Sequence, residues 1–282
     1  MILMRKLTFE TKITLNNGVR ISILGLGTFE MGIGRETQNA VLWALEAGYR
    51  LIDTAAIYGN EKAVGKAIKL SGIPREEIFI TTKVWNSDQG YRSTIKACEK
   101  SLEKLDTSYI DLYLIHWPVE RLRIETWRAL ETLLEDGRCR AIGVSNYMIW
   151  HIEELLNHAS TIPAINQVEF SPYLYQKALL EFCHSHRIQI EAYSPLTKGV
   201  MLNDQKLLSI ASRYSKTPAQ ILIRWALQRN LVVIPKSANK NRIYENSKVF
   251  DFEISSEDMK LLDSFNENLR TGWDPSNTVS YT

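Results

Sequence analysis

Cysteine is scarce in this chain, and the little there is does not pair by pattern. Cys98, Cys139 and Cys183 are odd in number and widely spaced, which argues against a disulfide framework. Long apolar runs are missing too, since no stretch approaches the ~20 residues needed to cross a bilayer. The opening residues, Met1 to Lys6, turn polar too soon to read as a secretory signal. Nor does one charge dominate. Lys+Arg 34 against Asp+Glu 32 leaves +2, so no global field draws in nucleic acid or a membrane surface. These absences point to a soluble cytoplasmic protein. At 282 residues and 45% hydrophobic content the chain can bury a full core as one large domain or two small ones. No compositional break separates its parts, so a single domain over 1–282 is expected.

What is present is alternation. Thr11 to Leu15 and Val19 to Ser22 flank Asn16-Asn17-Gly18, and Asn-Gly accepts the positive φ angles of a tight hairpin turn. Strands and helices then take turns. Strands are expected at Ile23–Leu26, Leu51–Ile52, Ile78–Thr82, Ile110–Ile115, Ala141–Val144, Ala164–Val168, Ile188–Ala192 and Val232–Ile234. Helices are expected at Glu36–Ala47, Glu61–Leu70, about Gly90–Leu105, Ile124–Glu135, Trp150–His158, Gln176–His184, Gln205–Tyr214 and Pro218–Gln228, with another from Lys240. A last helix opens on the capping signal Ser255-Ser256-Glu257-Asp258. Eight such units at this length favour an α/β (β/α)₈ TIM barrel with an N-terminal β-hairpin and an extra C-terminal helix. A doubly wound sheet shares the alternation and is the competitor.

The strand ends carry the chemistry. Leu51-Ile52 stops on Asp53, with Tyr58 close behind; Ile78–Thr82 stops on Lys83, and Ile110–Ile115 on His116. Later strands run into Ser145-Asn146, Asn166-Gln167, Tyr193-Ser194 and Pro235-Lys236-Ser237. Strand ends are wet and take polar caps, which accounts for any one of these. A full ring that includes Lys and His is harder to assign to capping. Barrel active sites lie at the C-terminal ends of the strands. A phenol to give a proton, a lysine and a carboxylate to tune it, and an imidazole to orient the substrate oxygen suit proton transfer.

Over nearly its whole length the sequence resembles the aldo-keto reductase superfamily, of the short-loop prokaryotic or prostaglandin F synthase-like type. The resemblance rests on Ile-Asp-Thr-Ala-Ala-Ile-Tyr (52–58), Thr-Thr-Lys-Val-Trp (81–85) and Ile-Asp-Leu-Tyr-Leu-Ile-His-Trp-Pro (110–118). It continues through Ile-Gly-Val-Ser-Asn (142–146), Asn-Gln-Val-Glu (166–169), Tyr-Ser-Pro-Leu (193–196) and Ile-Pro-Lys-Ser (234–237). It implies a monomeric barrel that reduces aldehydes and ketones with NADPH and without metal. In that reading Asp53, Tyr58, Lys83 and His116 form a tetrad with Tyr58 as proton donor. Lys83 would stabilise the phenolate and bring its pKa toward working range, while Asp53 aims Lys83.

The resemblance also assigns the cofactor. Ser145, Asn146 and Gln167 match contacts to the nicotinamide carboxamide, Tyr193 the stacking ring, and Ser194 and Leu196 pyrophosphate and adenosine contacts. Lys236, Ser237 and Arg242 match a clamp on the 2′-phosphate, with Glu245 and Asn246 near the adenine; Thr28 and Asp53 are matched as well. A Lys, a hydroxyl and an Arg beside a helix start suit a phosphate on physical grounds. Phe29, Trp85, Trp117 and Trp273, with His116, match the substrate pocket, so an apolar or aromatic aldehyde fits. Trp43, Trp127, Trp150 and Trp225 read as core. The short loop after Trp117-Pro118, and Thr197-Lys198-Gly199 after Ser-Pro-Leu, depart from longer family members and suggest an open site of broad specificity.

Other motifs fail. Gly25-Leu26-Gly27-Thr28-Phe29-Glu30 has Glu where a dinucleotide fingerprint needs its third glycine. Gly59 to Lys66 is one residue too long for a P-loop, with Ala67 where Ser or Thr should bind Mg²⁺. Cys183, His184 and His186 close an outer helix with no further ligand cluster, so no metal site is expected. His151 and His158 read as solvated helix residues. Two further readings stand beside the reductase: a barrel aldolase using Lys83 as a Schiff-base nucleophile, and a non-catalytic barrel that binds NADPH as a regulatory subunit.

Overall fold

A computed structural model describes residues 7–276; residues 1–6, weighed above as a leader, lie outside them. Two short strands, β1 (Lys12–Thr14) and β2 (Arg20–Ser22), pair antiparallel in a hairpin. Of its turn residues Gly18 takes a positive φ, 86°, and neither asparagine does. The turn is therefore a type I turn closed by a glycine bulge, with positive φ at the glycine alone and not at the asparagine before it. Asn17 is held instead by side-chain bonds, its Nδ2 donating to Arg140 O at 3.0 Å.

Eight parallel strands follow: β3 (Leu26–Gly27), β4 (Leu51–Asp53), β5 (Phe79–Val84), β6 (Ile110–Ile115), β7 (Cys139–Ser145), β8 (Ile165–Glu169), β9 (Gln189–Tyr193) and β10 (Val232–Val233). They pair in unbroken chain order from β3 to β10. A doubly wound sheet would reverse its order at a switch point. Bridges from Leu24 to Val233 and from Gly27 to Lys236 then join the first strand region to the last, and the sheet closes as a (β/α)₈ barrel. The first strand is shorter than expected because residues 23–25 meet the β10 region through single bridges instead of a ladder.

Side chains alternate faces along each strand. Leu51 of β4, Phe79 of β5, Leu112 and Leu114 of β6, Ala141 of β7 and Ile165 of β8 share the barrel interior with Leu15 and Ile21 of the hairpin, which plugs the N-terminal mouth. Their neighbours Ile52, Ile80, Tyr113, Ile115, Ile142 and Val144 face the helices. The interior is narrow: a Cβ on Gly143 would sit 2.6 Å from Ile165 O and 2.8 Å from Leu114 Cδ2.

The helical layer comprises α1 (Arg35–Glu46), α2 (Glu61–Ser71), α3 (Tyr91–Leu105), α4 (Arg123–Glu135), α5 (Ile149–Leu156), α6 (Lys177–Ser185), α7 (Gln205–Arg213), α8 (Pro218–Gln228), α9 (Lys240–Ser247) and α10 (Ser256–Asp263). Local chemistry sets several starts. Thr217 and Gln220 cap each other's backbone at α8, with Pro218 in the first turn, and Ser255 accepts from Asp258 N at α10. None of the helices described is long and apolar enough to cross a membrane. Cys98, Cys139 and Cys183 are buried free thiols.

Two outer-layer expectations need correction. His151 is fully buried, not solvated. Its Nδ1 accepts from Met148 N at 3.0 Å and caps α5, and burial beside Arg123 lowers its pKa to about 3. Trp150 is 45% exposed instead of core, because the helix turns it outward, where the Arg123 guanidinium lies 5.5 Å from its ring. Trp127 and Trp225 are core as expected, and Trp43 is partly buried against it.

Candidate active site

The same alternation that fills the barrel with Leu51, Phe79 and Leu112 turns Asp53, Lys83 and His116 inward near its C-terminal end. Lys83 is fully buried, and its Nζ donates to Asp53 Oδ1 at 2.7 Å, Asp53 Oδ2 at 2.8 Å and Thr54 O at 2.9 Å. Tyr58 stands on a single 3₁₀ turn after β4, ended by Gly59 at φ 68°, and its hydroxyl accepts from Lys83 Nζ at 3.4 Å. The rings of Tyr58 and His116 meet edge to face at 5.6 Å.

Charge balance sets the protonation states. Burial pushes the Asp53 carboxyl up against the pull of Lys83 and Gln167. Tyr58 is held well above the ordinary phenol value by burial first, then by the negative fields of Asp53 and Glu191. The net shift is upward, not downward as the sequence suggested: burial and the two carboxylates outweigh Lys83, whose Nζ is itself paired with Asp53. His116 is pushed well below its usual value by burial and by Lys83, so its imidazole is neutral. Its Nδ1 is enclosed without a partner among the described residues. An orphan acceptor costs less there than an orphan N–H, which leaves the proton on Nε2.

A cavity of about 1280 Å³ opens over this cluster, larger than the ~300–1,000 Å³ of ordinary ligand pockets. Its floor holds Asp53, Tyr58 and His116, with Ser145, Asn146 and Gln167 beside them. Asn146, at φ 64°, donates to His116 O at 3.0 Å and accepts from Tyr193 Oη at 2.8 Å. From Tyr193 the wall runs through Ser194 and Leu196 to Lys236, Ser237, Arg242, Glu245 and Asn246. Arg242 lies in the first turn of α9, whose cap is Asn239. Neither Lys236 nor Arg242 has a carboxylate partner among the described residues. Thr28 differs from the others: it is fully buried, its hydroxyl is spent on Asp53 O at 2.9 Å, and it does not line the cavity.

Aromatic rings crowd the other side. Phe29 lies 5.0 Å from Tyr58, Trp85 5.1 Å from His116 and Trp117 5.5 Å from Trp273. Trp273 is brought there by a strap the sequence does not announce. Glu169, at the end of β8, accepts from Thr271 N at 2.7 Å, Thr271 Oγ1 at 2.5 Å and Gly272 N at 3.1 Å. A second unannounced contact ties the loop after β9 to the loop after β3, through Lys198 Nζ and Glu30 Oε1 at 2.9 Å. Both partners are partly exposed, so that bridge is weak, ~1 kcal/mol at most. Glu191, buried beside Gln167, was also not singled out; its signal was a carboxylate inside an apolar strand.

Comparison with known proteins agrees with this geometry. The model of the Aldo/keto reductase family matches residues 23–267. The chain is 52% identical over 268 residues to a glyoxal reductase of Bacillus subtilis (strain 168), covering 95% of this chain and 97% of the relative. It is 52% identical over 268 residues to a 9,11-endoperoxide prostaglandin H2 reductase of Trypanosoma cruzi (strain CL Brener), covering 94% and 95%. Its fold superposes on a Bombyx mori aldo-keto reductase solved in complex with NADP, with TM-score 0.88, 38% identity and coverage of 94% and 95%. With a closed eight-stranded barrel, an inward Asp-Lys pair under a tyrosine, and a family match spanning most of its length, the chain belongs to the aldo/keto reductase family.

Proposed function

We propose that this chain reduces aldehydes and ketones to alcohols with NADPH, as a cytoplasmic single-domain monomer, with Tyr58 as the proton donor. The observation that carries the reading is the line from Asp53 through Lys83 Nζ to the Tyr58 hydroxyl, with a neutral His116 beside it. When bound, the nicotinamide supplies a hydride to the carbonyl carbon. The protein's part is what happens at the oxygen, where negative charge develops and needs a proton and a polar cradle. Tyr58 rests protonated, so it has a proton to give. Lys83 waits 3.4 Å behind to meet the phenolate that remains, and His116 Nε2–H orients the carbonyl oxygen.

The residues present suit NADPH. Gln167 offers its carbonyl oxygen at one end of the cavity, and Lys236 and Arg242, without a carboxylate partner among the described residues, lie at the other, near Ser237. A dianionic 2′-phosphate would satisfy those cations; the neutral hydroxyl of NADH would not. Relatives named for substrates as unlike as glyoxal and a prostaglandin endoperoxide support an open, aromatic pocket of broad reach. The aldolase reading loses ground because Lys83 is fully buried, ringed by acceptors and absent from the cavity wall. Replacing Tyr58 with Phe tests the proposal. Carbonyl reduction should fall by ~10² or more while NADPH affinity stays nearly unchanged; retained turnover would remove Tyr58 from the role.

A further inference from the structure

Glu191 is a buried carboxylate that this chemistry leaves unused. It stands in the middle of β9 on the inward face, paired in register with Gln167 of β8 and Val232 of β10. It is fully buried. Its Oε2 accepts from Gln167 Nε2 at 2.9 Å, and that same nitrogen donates to Asp53 Oδ2 at 2.7 Å. Glu191 Oε1 has no hydrogen-bond partner among the described residues. The charged and titratable groups that act on this carboxyl are Asp53 and Lys83, and Tyr58 feels it in turn.

A primary amide has two N–H donors and one carbonyl. In Gln167 both donors are committed, one to each carboxyl group, and the carbonyl Oε1 is what remains for the cavity that the residue lines. Turning the amide over would press its carbonyl against the Asp53 and Glu191 carboxyl groups and take from both the donor they now share. Asp53 alone would not enforce this. With one acceptor only, the second N–H could swing toward the cavity, and Gln167 would present a donor beside its acceptor.

We propose that Glu191 is a positioning residue for the cofactor: by taking the second N–H of Gln167 it makes that side chain a pure acceptor toward the cavity, selecting the amino end of the nicotinamide carboxamide. This rests on the NADPH reading above and adds a part that reading lacks, the orientation of the amide and hence of the ring. The amino group is the only donor on the carboxamide, so a site that can only accept reads it in one sense.

The test is binding, followed by quenching of tryptophan fluorescence, with NADP⁺ and its 3-acetylpyridine analogue, in which a methyl replaces the –NH₂. The wild type should prefer NADP⁺ by about tenfold, the scale of one hydrogen bond to a buried acceptor. Glu191→Gln keeps an uncharged acceptor in place and should keep that preference. Glu191→Leu and Glu191→Thr, one apolar and one β-branched and suited to a strand, both remove the contact. In each the preference should narrow to about twofold, mainly through weaker NADP⁺ binding. Equal losses for the two dinucleotides in both variants, with the preference intact, would overturn the inference and leave Glu191 a packing residue. So would a wild type that binds both alike. A wild type that binds neither overturns the cofactor reading itself, and this inference with it.

Discussion

Replacing Glu191 by Gln should change how the stability of the fold depends on pH, in a direction opposite to that of an ordinary carboxylate. Burial first, then the Asp53 charge, raises the Glu191 carboxyl from an ordinary 4.5 to about 8, against the pull of Gln167 and Lys83. Between those two values the folded chain holds a proton there that the unfolded chain has released. Stability therefore falls as pH rises, by ~1.4 kcal/mol per unit while the difference is one full proton. The contribution is fully present below pH 4.5 and lost by about pH 8, a swing on the order of 5 kcal/mol.

His116 and His151 act the other way. Both are held neutral in the fold by burial, so each adds stability as pH rises toward the ordinary histidine value and levels off above it. Wild type and Glu191→Gln share them, and the difference between the two proteins isolates Glu191. We would compare urea unfolding at pH 5.5, 7 and 8.5. The variant should gain on the wild type by ~1.4 kcal/mol per unit, or roughly 3 kcal/mol from pH 5.5 to pH 8. Curves that stay parallel would mean that Glu191 is charged throughout, and that Lys83 compensates both carboxylates at once.

Two further outcomes are expected. Arg242→Ala should weaken NADPH binding about tenfold or more and leave NADH nearly untouched, because a charge-assisted bond to phosphate is worth ~1.5–3 kcal/mol; cofactor titrations check it, and parallel losses would place Arg242 against the adenine or the fold. Glu169→Ala should release the Trp273 strap and raise KM for aromatic aldehydes about tenfold with little change for small dicarbonyls, since it removes apolar contact without touching the tetrad; steady-state kinetics on one substrate of each kind decides.

Much of the site was legible because barrel geometry is periodic. Stepping back by two from Lys83 gives Thr81 and Phe79; from His116 it gives Leu114 and Leu112; from Gln167 it gives Ile165. Phe79, Leu112, Leu114 and Ile165 are interior residues of the barrel. A tight turn and an eightfold alternation then leave one way to bring Asp53, Lys83 and His116 together. What stayed hidden was of two kinds. Contacts such as Glu169 with Thr271, 102 residues apart, or Lys198 with Glu30, 168 apart, carry no local signal, since nothing in either segment names its partner. Protonation was hidden for a different reason. A lysine beside a phenol suggests a lowered pKa, but here burial first, then the charges of Asp53 and Glu191, set the sign.

Glu191 lies between these two cases. Tyr193 is a strand-end residue that the alternation turns inward, so the residue two places earlier must face inward as well, and that residue is a carboxylate. Parity alone thus puts a second acid inside a barrel whose interior is otherwise close to apolar. A lone buried carboxylate costs several kcal/mol unless it is paired, hydrogen-bonded or protonated. Lys83 is committed to Asp53, and among the described residues the one donor to this carboxyl is the amide of Gln167. Burial favours the protonated acid, and its hydrogen bond ties it to the amide that the proposed cofactor site needs held still.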